Sequence, residues 1–283
     1  MLRLTRSLCR QHKIKPARRF GQNFLIRESI YNKIIKAADL TREDIVLEVG
    51  PGFGFLTEKL SKKAKKVIAI ELDKRLVKAL LTRIRELKIG NVEVVNQDIL
   101  KFDCFKLKKI FQDYNLNFKY KIVANLPYNI TSAFLRKFLE NKYRPNLMVL
   151  MLQKEVAERI ISKPPRMNIL AISVQFYTKP KIITKVAASD FWPKPKVDSA
   201  VIRLETKNEL PSVNERDFFN FIKAGFKYRR KMLKNNLAIY SNVSVEKIEK
   251  MLKQASLDPK IRAQNLSLDD WLKLFGIFCK NVV

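Results

Sequence analysis

Ile45-Val46-Leu47-Glu48-Val49-Gly50-Pro51-Gly52-Phe53-Gly54 is the stretch that decides the fold. Five β-forming residues run into a turn holding three glycines, and residues 55–64 then read as a helix. A strand feeding a helix through such a turn is a building unit of a parallel sheet. Working outward, the same alternation recurs. Residues 67–72 predict the next strand and 73–87 its helix, and 92–95 predict a third strand running to Asp98. A fourth strand over 120–124 is closed by Asn125-Leu126-Pro127-Tyr128, with a helix over 132–139. A fifth strand, 147–152, is followed by a helix over 154–161. The runs 172–177, 182–187 and 199–204 predict strands joined by short loops, an antiparallel edge of the kind mixed α/β sheets carry. Past Leu210-Pro211-Ser212 the pattern changes to helices over 215–226, 229–239, 245–255 and 268–275 with no strand between them. The expected division is therefore an α/β domain over 1–209 and a small all-α domain over 210–283.

Composition narrows the function. Of 283 residues 47% are hydrophobic, enough for a packed core. Lys and Arg number 57 against 27 acids, a formal charge of +30. Such an excess opposes compaction unless a polyanion neutralises it, and nucleic acid is the partner expected, ahead of an anionic membrane surface. Apolar runs such as 147–152 are far too short to cross a bilayer. Cys9, Cys104 and Cys279 form no CxxC pair, so neither a disulfide framework nor a metal site is expected, and a reducing cytoplasm fits. His12 is the sole histidine, which removes hydrolase triads and HExxH metallopeptidases. Residues 1–27 carry eight Lys or Arg and no acid. They resemble a transit peptide superficially, but they run straight into Phe20-Gly21-Gln22-Asn23-Phe24-Leu25 and read as a basic arm leading into a site.

Chemistry gathers on the carboxyl edge of the predicted sheet. The Gly50 to Gly54 turn lets backbone approach a ligand closely, although it departs from GxGxxG. Glu71 stands at the end of the next strand, where a carboxylate can accept both hydroxyls of a ribose. Asp98 ends the third strand, positioned for an adenine amine, and Asn125 ends the fourth. Carboxylates for ribose and base, without evident compensation for a pyrophosphate, suit S-adenosylmethionine better than a dinucleotide. Asn125-Leu126-Pro127-Tyr128 addresses a second problem. An exocyclic amine is a poor nucleophile because its lone pair is delocalised into the ring. Two acceptors, the Asn125 side-chain carbonyl and the Leu126 backbone carbonyl, can take its hydrogens and favour a pyramidal nitrogen. Pro127 fixes the backbone, and Tyr128 offers a flat face to an extruded base. Phe191, in the stiff stretch Phe191-Trp192-Pro193-Lys194-Pro195, can close the other side. Five cations and no acid over residues 227–236, among them Arg229, Arg230, Lys231 and Lys234, suggest phosphate contacts.

With these pieces placed, the chain resembles the ribosomal RNA adenine N6-dimethyltransferases, and among them the small-subunit type. The blocks that carry the resemblance are residues 19–25, 48–54, 125–130 (Asn-Leu-Pro-Tyr-Asn-Ile), 153–159, 191–199 and 262–267, in family order along nearly the whole chain. The resemblance implies a Rossmann-like S-adenosylmethionine-dependent methyltransferase sheet with an antiparallel edge and a C-terminal helical domain that docks on rRNA. It implies cofactor contacts from Asn23, Leu25, Gly50, Gly52, Glu71, Leu72, Asp98, Ile99 and Asn125. It implies a target adenine held by Asn125 to Tyr128 and stacked by Phe191. The substrate implied is a pair of adjacent adenines in the hairpin loop near the 3′ end of small-subunit (16S) rRNA, within an assembling 30S-type subunit. A monomer in the cytoplasm, with no metal and no membrane partner, is the expectation. One departure is the absence of glycine at 168 or 169, where the family usually has an aromatic-glycine pair before Leu-Ser-Val.

Three other readings compete. The erythromycin-resistance type dimethylates one adenine of large-subunit rRNA with similar motifs. A methylase-like assembly or mitochondrial transcription factor would keep the fold mainly for binding. A DNA adenine methylase would need a base-specific recognition domain that nothing here resembles. The Arg229-Arg230-Lys231 segment favours the small-subunit type, and intact Glu71, Asp98 and Asn125 to Tyr128 favour retained catalysis.

Overall fold

The computed structural model describes residues 1–17, 20–103, 119–228 and 230–282. Arg19, Cys104 and Arg229, which figure in the sequence reading, lie outside the described residues. The chain divides into two compact units, residues 1–157 with 179–206, and residues 158–178 with 207–283.

In the first unit, α1 (Leu2–Gln11), β1 (Phe24–Leu25) and α2 (Glu28–Ala38) precede the sheet. Then follow β2 (Ile45–Val49), α3 (Phe55–Ser61), β3 (Lys66–Glu71), α4 (Lys74–Glu86), β4 (Val92–Asn96), β5 (Tyr120–Asn125), α5 (Thr131–Leu139) and β6 (Leu147–Gln153). Next come α6 (Lys154–Ile160), within which the first unit's opening stretch ends at Ala157, and later β7 (Thr178–Val186), β8 (Phe191–Trp192) and β9 (Ser199–Thr206). The seven-stranded sheet has the order β4-β3-β2-β5-β6-β9-β7. Pairs β4/β3, β3/β2, β2/β5 and β5/β6 are parallel, and β6/β9 is antiparallel. All five β2 residues are buried, as a central strand covered on both faces requires. The order reverses direction between β2 and β5, so the loops leaving these two strands part there and open a crevice at the carboxyl edge. The register Val49↔Ala124 sets Gly50 opposite Asn125 at the mouth of that crevice.

Two local devices shape this edge. Gly54 caps α3 with φ +79°, and a Cβ there would meet Leu80 Cδ1 at 2.5 Å, so α3 and α4 pack this closely only around glycine. Asp73 caps α4 by accepting from the Arg75 amide at 3.0 Å. Apart from the main sheet, β1 and β8 form a two-residue antiparallel ribbon, Phe24↔Trp192 and Leu25↔Phe191.

The second unit holds α7 (Ile169–Tyr177), α8 (Glu215–Gly225), α9 (Leu233–Ser241), α10 (Val245–Gln254) and α11 (Leu268–Val282). Residues 172–177, expected as a strand, are the C-terminal part of α7. The helix begins where Asn168 accepts from the Ala171 amide at 3.0 Å, a side-chain cap that a glycine at 168 would not provide. Ala171, Ile172, Val174, Phe176 and Tyr177 are buried, and Phe176 packs against Phe218 and Phe219 at ring separations of 5.4 and 5.2 Å. A helix that is apolar on nearly every side loses its 3.6-residue signature and reads like a buried strand.

Candidate active site

An open cavity of about 280 Å³ occupies the crevice. Asn23, Leu25, Gly50, Gly52, Glu71, Leu72, Asp98, Ile99, Asn125 and Pro127 all line it. Every residue expected to contact the cofactor is thus brought together. Leu126, Tyr128 and Phe191 do not line the cavity.

Glu71 ends β3 almost wholly buried and accepts from the Gly52 amide at 3.2 Å and the Asp73 amide at 2.9 Å. Burial raises its pKa, and these amide contacts oppose the shift. The carboxylate therefore braces the glycine turn as well as facing the crevice. Asp98 accepts from the Leu100 amide through Oδ1 at 2.8 Å, which aims the carboxylate across the rim. Leu72, 49% exposed, and buried Ile99 both line the cavity, apolar surface of the kind a flat base covers.

Asn125 donates from Nδ2 to the Asn23 carbonyl at 3.3 Å. That contact fixes which end of the amide faces the cavity, since Oδ1 takes no hydrogen bond from the described residues. Leu126 donates its amide to the Met151 carbonyl at 3.2 Å and is itself buried. Gly21, with φ +62°, lies against Pro127, where an added Cβ would stand 3.0 Å from Pro127 Cβ. The Gly21 to Asn23 backbone reaches the Asn125 loop only because that Cβ is missing. Tyr128 shares a 2.7 Å hydrogen bond with the buried Ser199 hydroxyl, which holds its ring in one plane, and burial raises the phenol pKa. Phe191 is 3% exposed and packed in the core beneath the β1–β8 ribbon.

Sequence reasoning missed several participants. Gln22 donates to Asp73 at 2.9 Å and accepts from the Ala17 amide at 2.8 Å, stitching the N-terminal segment to the β3 edge. Phe24 and Phe53 pack at 4.9 Å, above Gly52. Glu48, the one acid within the apolar run of β2, lines the cavity fully buried, and neither carboxyl oxygen has a hydrogen-bond partner among the described residues. Burial pushes its pKa up to about 8, the Thr57 hydroxyl opposing and Glu71 adding to the shift. An acid inside an otherwise apolar strand was the available signal.

Two features of this cavity define what fits it. Among the described residues its lining holds three carboxyl groups, Glu48, Glu71 and Asp98, and no Lys, Arg or His, in a chain of charge +30. Its floor is a turn with positive φ at Gly50 and Gly52, where backbone approaches a ligand without side chains. A nucleoside bearing positive charge and no phosphate suits these residues, and a dinucleotide does not.

In the second unit, Arg230 and Lys231 are exposed. The ammonium of Lys231 lies 5.0 Å from the Tyr228 ring centre. Lys234 instead forms a short ion pair with Glu249, so its charge is partly satisfied within the fold. Among the described residues no group of three or more His, Cys, Asp or Glu is placed to hold a metal ion. No described helix is long and apolar enough to cross a membrane.

Comparison with known proteins gives a consistent result. The family model for ribosomal RNA adenine dimethylase matches residues 13–280. A "Ribosomal RNA small subunit methyltransferase A" of Dehalococcoides mccartyi is 41% identical over 272 residues, 95% of this chain and 91% of that protein. The protein of the same name from Pelotomaculum thermopropionicum is 39% identical, over 97% of this chain and 95% of its own length. Among solved structures, a dimethyladenosine transferase from Plasmodium falciparum superposes with a TM-score of 0.78 at 29% identity, covering 91% of this chain and 98% of that one. The 23S rRNA methyltransferase ErmE superposes at 0.74 with 26% identity, covering 90% and 99%.

Proposed function

The chain belongs to the ribosomal RNA adenine dimethylase family, and from that premise we propose that its substrate is small-subunit (16S) rRNA, at two adjacent adenines in the hairpin loop near the 3′ end. The enzyme is an S-adenosylmethionine-dependent rRNA adenine-N6 dimethyltransferase. Small-subunit specificity draws support from relatives named for that subunit at about 40% identity along almost the whole chain, against 26% for the large-subunit enzyme. The observation that carries the chemistry is the acidic, phosphate-averse crevice ending at Asn125.

The residues present fit the cofactor. Glu71 would hold the ribose hydroxyls, Asp98 the adenine amine, Leu72 and Ile99 the faces of the base, and Gly50, Gly52, Asn23 and Leu25 the remainder. S-adenosylmethionine, when bound, supplies an electrophilic methyl group. The target adenine is extruded to Asn125 to Tyr128. There the Asn125 Oδ1 and the Leu126 carbonyl accept the two amine hydrogens and draw the nitrogen lone pair out of conjugation. With its hydrogens held there, the amine nitrogen would be free to take the methyl group that the cofactor supplies, the cofactor's thioether being the leaving group and the extra proton passing to water. Tyr128, locked by Ser199, supplies one stacking face. The second stacking face expected of Phe191 would require its ring, 3% exposed, to be uncovered. We place the cofactor and target sites in the domain over 1–209 and rRNA docking in 210–283, through Arg229, Arg230 and Lys231, with a smaller part for Lys234. The enzyme acts as a monomer in the cytoplasm on assembling subunits.

Glu71→Ala should weaken cofactor binding about 10- to 100-fold. It removes a charged ribose acceptor and leaves two amides without their acceptor, at about 1.5–3 kcal/mol for hydrogen bonds to a charged group. Titration calorimetry with S-adenosylhomocysteine measures this; an affinity within threefold of wild type would remove Glu71 from the site. The substrate is tested by methyl transfer from labelled S-adenosylmethionine to unmodified small subunits, naked 16S rRNA and large-subunit rRNA, with the modified bases mapped. Dimethyladenine at two adjacent positions in small-subunit rRNA is expected. Label in large-subunit rRNA would move the enzyme to the resistance type, and binding without any label would make it a factor that kept only the fold.

A further inference from the structure

The family match begins at residue 13, so α1 lies outside it. That helix has two unlike faces. Thr5 and Cys9 are buried, with Met1 and Leu8 packed against the same core cluster that holds Phe191. Arg3, Arg6 and Arg10 are exposed. Spaced by three and then four residues, the three arginines stand in one row along the helix. The row spans about 10 Å at 1.5 Å per residue, long enough to follow a few phosphates of one strand. No acid occurs in the first 27 residues, and none of the three arginines pairs with a carboxylate among the described residues. Elsewhere cations are paired within the fold, as in Lys66–Glu93, Arg83–Glu58 and Lys121–Asp44.

The row is also tied to the site. The Arg6 guanidinium stands 5.8 Å from the Trp192 ring centre. Trp192 pairs with Phe24 in the β1–β8 ribbon, next to Asn23, whose carbonyl holds the Asn125 amide. A polyanion lying along α1 is therefore led to the ribbon that flanks the target-base loop.

We propose that α1 is a phosphate clamp that grips the backbone of the rRNA stem beside the methylated loop. The proposal rests on the reading of the substrate as rRNA. An anionic bilayer is the weaker match, because an interfacial helix inserts its apolar face, and here that face is packed into the protein core.

The test replaces Arg3, Arg6 and Arg10 together by Gln, which removes three charges and keeps helix propensity. Binding to a 16S 3′-hairpin RNA is followed across salt concentrations without turnover, so it reports on the clamp even if the assigned methylation site is wrong. The slope of log K against log salt should flatten by about 2 to 3, near 0.9 for each phosphate that is no longer neutralised. Affinity at about 0.1 M salt should fall at least 10-fold, with S-adenosylhomocysteine affinity unchanged. The Arg→Lys triple variant should recover most of the slope, separating charge from packing. A wild-type slope in the Gln variant would overturn the proposal. So would loss of binding to phosphatidylglycerol vesicles alongside unchanged RNA binding, which would reassign the helix to a membrane surface.

Discussion

Asn125→Ala should lower methyl transfer about 10²- to 10³-fold while the protein still folds and still binds RNA. The size follows from removing a preorganised polar group aimed at charge that develops only in the transition state. In the proposed role Asn125 would contribute a side-chain acceptor whose direction is set by its own Nδ2, held on the Asn23 carbonyl at 3.3 Å. Alanine deletes both the acceptor and its tether, and the Leu126 carbonyl alone then faces the amine. Asn125→Asp restores an oxygen and loses the tether, so it should fall between the two. Single-turnover rates with saturating cofactor and RNA separate this loss from binding. A rate within 10-fold of wild type would move the amine-binding role to another residue. If Asn125→Ala lost RNA affinity as well as turnover, catalysis and docking would not be separable in this chain.

Glu48 leads to the second large effect, on stability. Its folded pKa of about 8 stands above the ordinary value of 4.5 because burial disfavours the charge. Between these values the folded chain binds more protons than the unfolded one, so stability falls as pH rises. The full loss is on the order of 5 kcal/mol, most of it between pH 5 and 8. Around Glu48 lie Thr57 of α3, Glu71 at the end of β3 and Tyr31 of α2. Glu71 is shifted the same way and adds to the trend, whereas Asp73, held down to about 2 by its hydrogen bonds with Arg75, titrates below this window. Glu48→Gln should therefore be more stable than wild type at pH 8 and close to it at pH 5. Urea unfolding of the cofactor-free protein at both values measures the difference, and parallel curves for the two proteins would show that Glu48 is already ionised.

Much of this architecture is legible before any coordinates. Strands that carry unbroken Ile, Val and Leu announce a parallel sheet, and each ends at a residue that marks the carboxyl edge. That is why Gly50, Glu71, Asp98 and Asn125 could be grouped by position alone, and the cavity gathers all four. What escaped was non-local or ambiguous by nature. The segment over 172–177 holds residues equally suited to a buried strand, and only the Asn168 cap reveals a helix. The β1–β8 ribbon joins two-residue strands far apart in sequence, too short to carry periodicity. Glu48 reads as a break in an apolar run, and its lack of partners is a property of the packed crevice. Lys234 counts as one more cation until folding brings Glu249 beside it.

On the proposed assignment Asn125 would offer its target an acceptor, because its donor end is already committed to Asn23, and the Leu126 carbonyl would be an acceptor by nature. A pair of this kind counts hydrogens. An unmodified adenine amine brings two and a monomethylated one brings one, so a second round finds something to grip. A dimethylated amine brings none, and the same two oxygens that drew the substrate in have nothing left to hold. On that assignment the reaction would carry its own stopping rule, written in the polarity of one side chain and one backbone carbonyl.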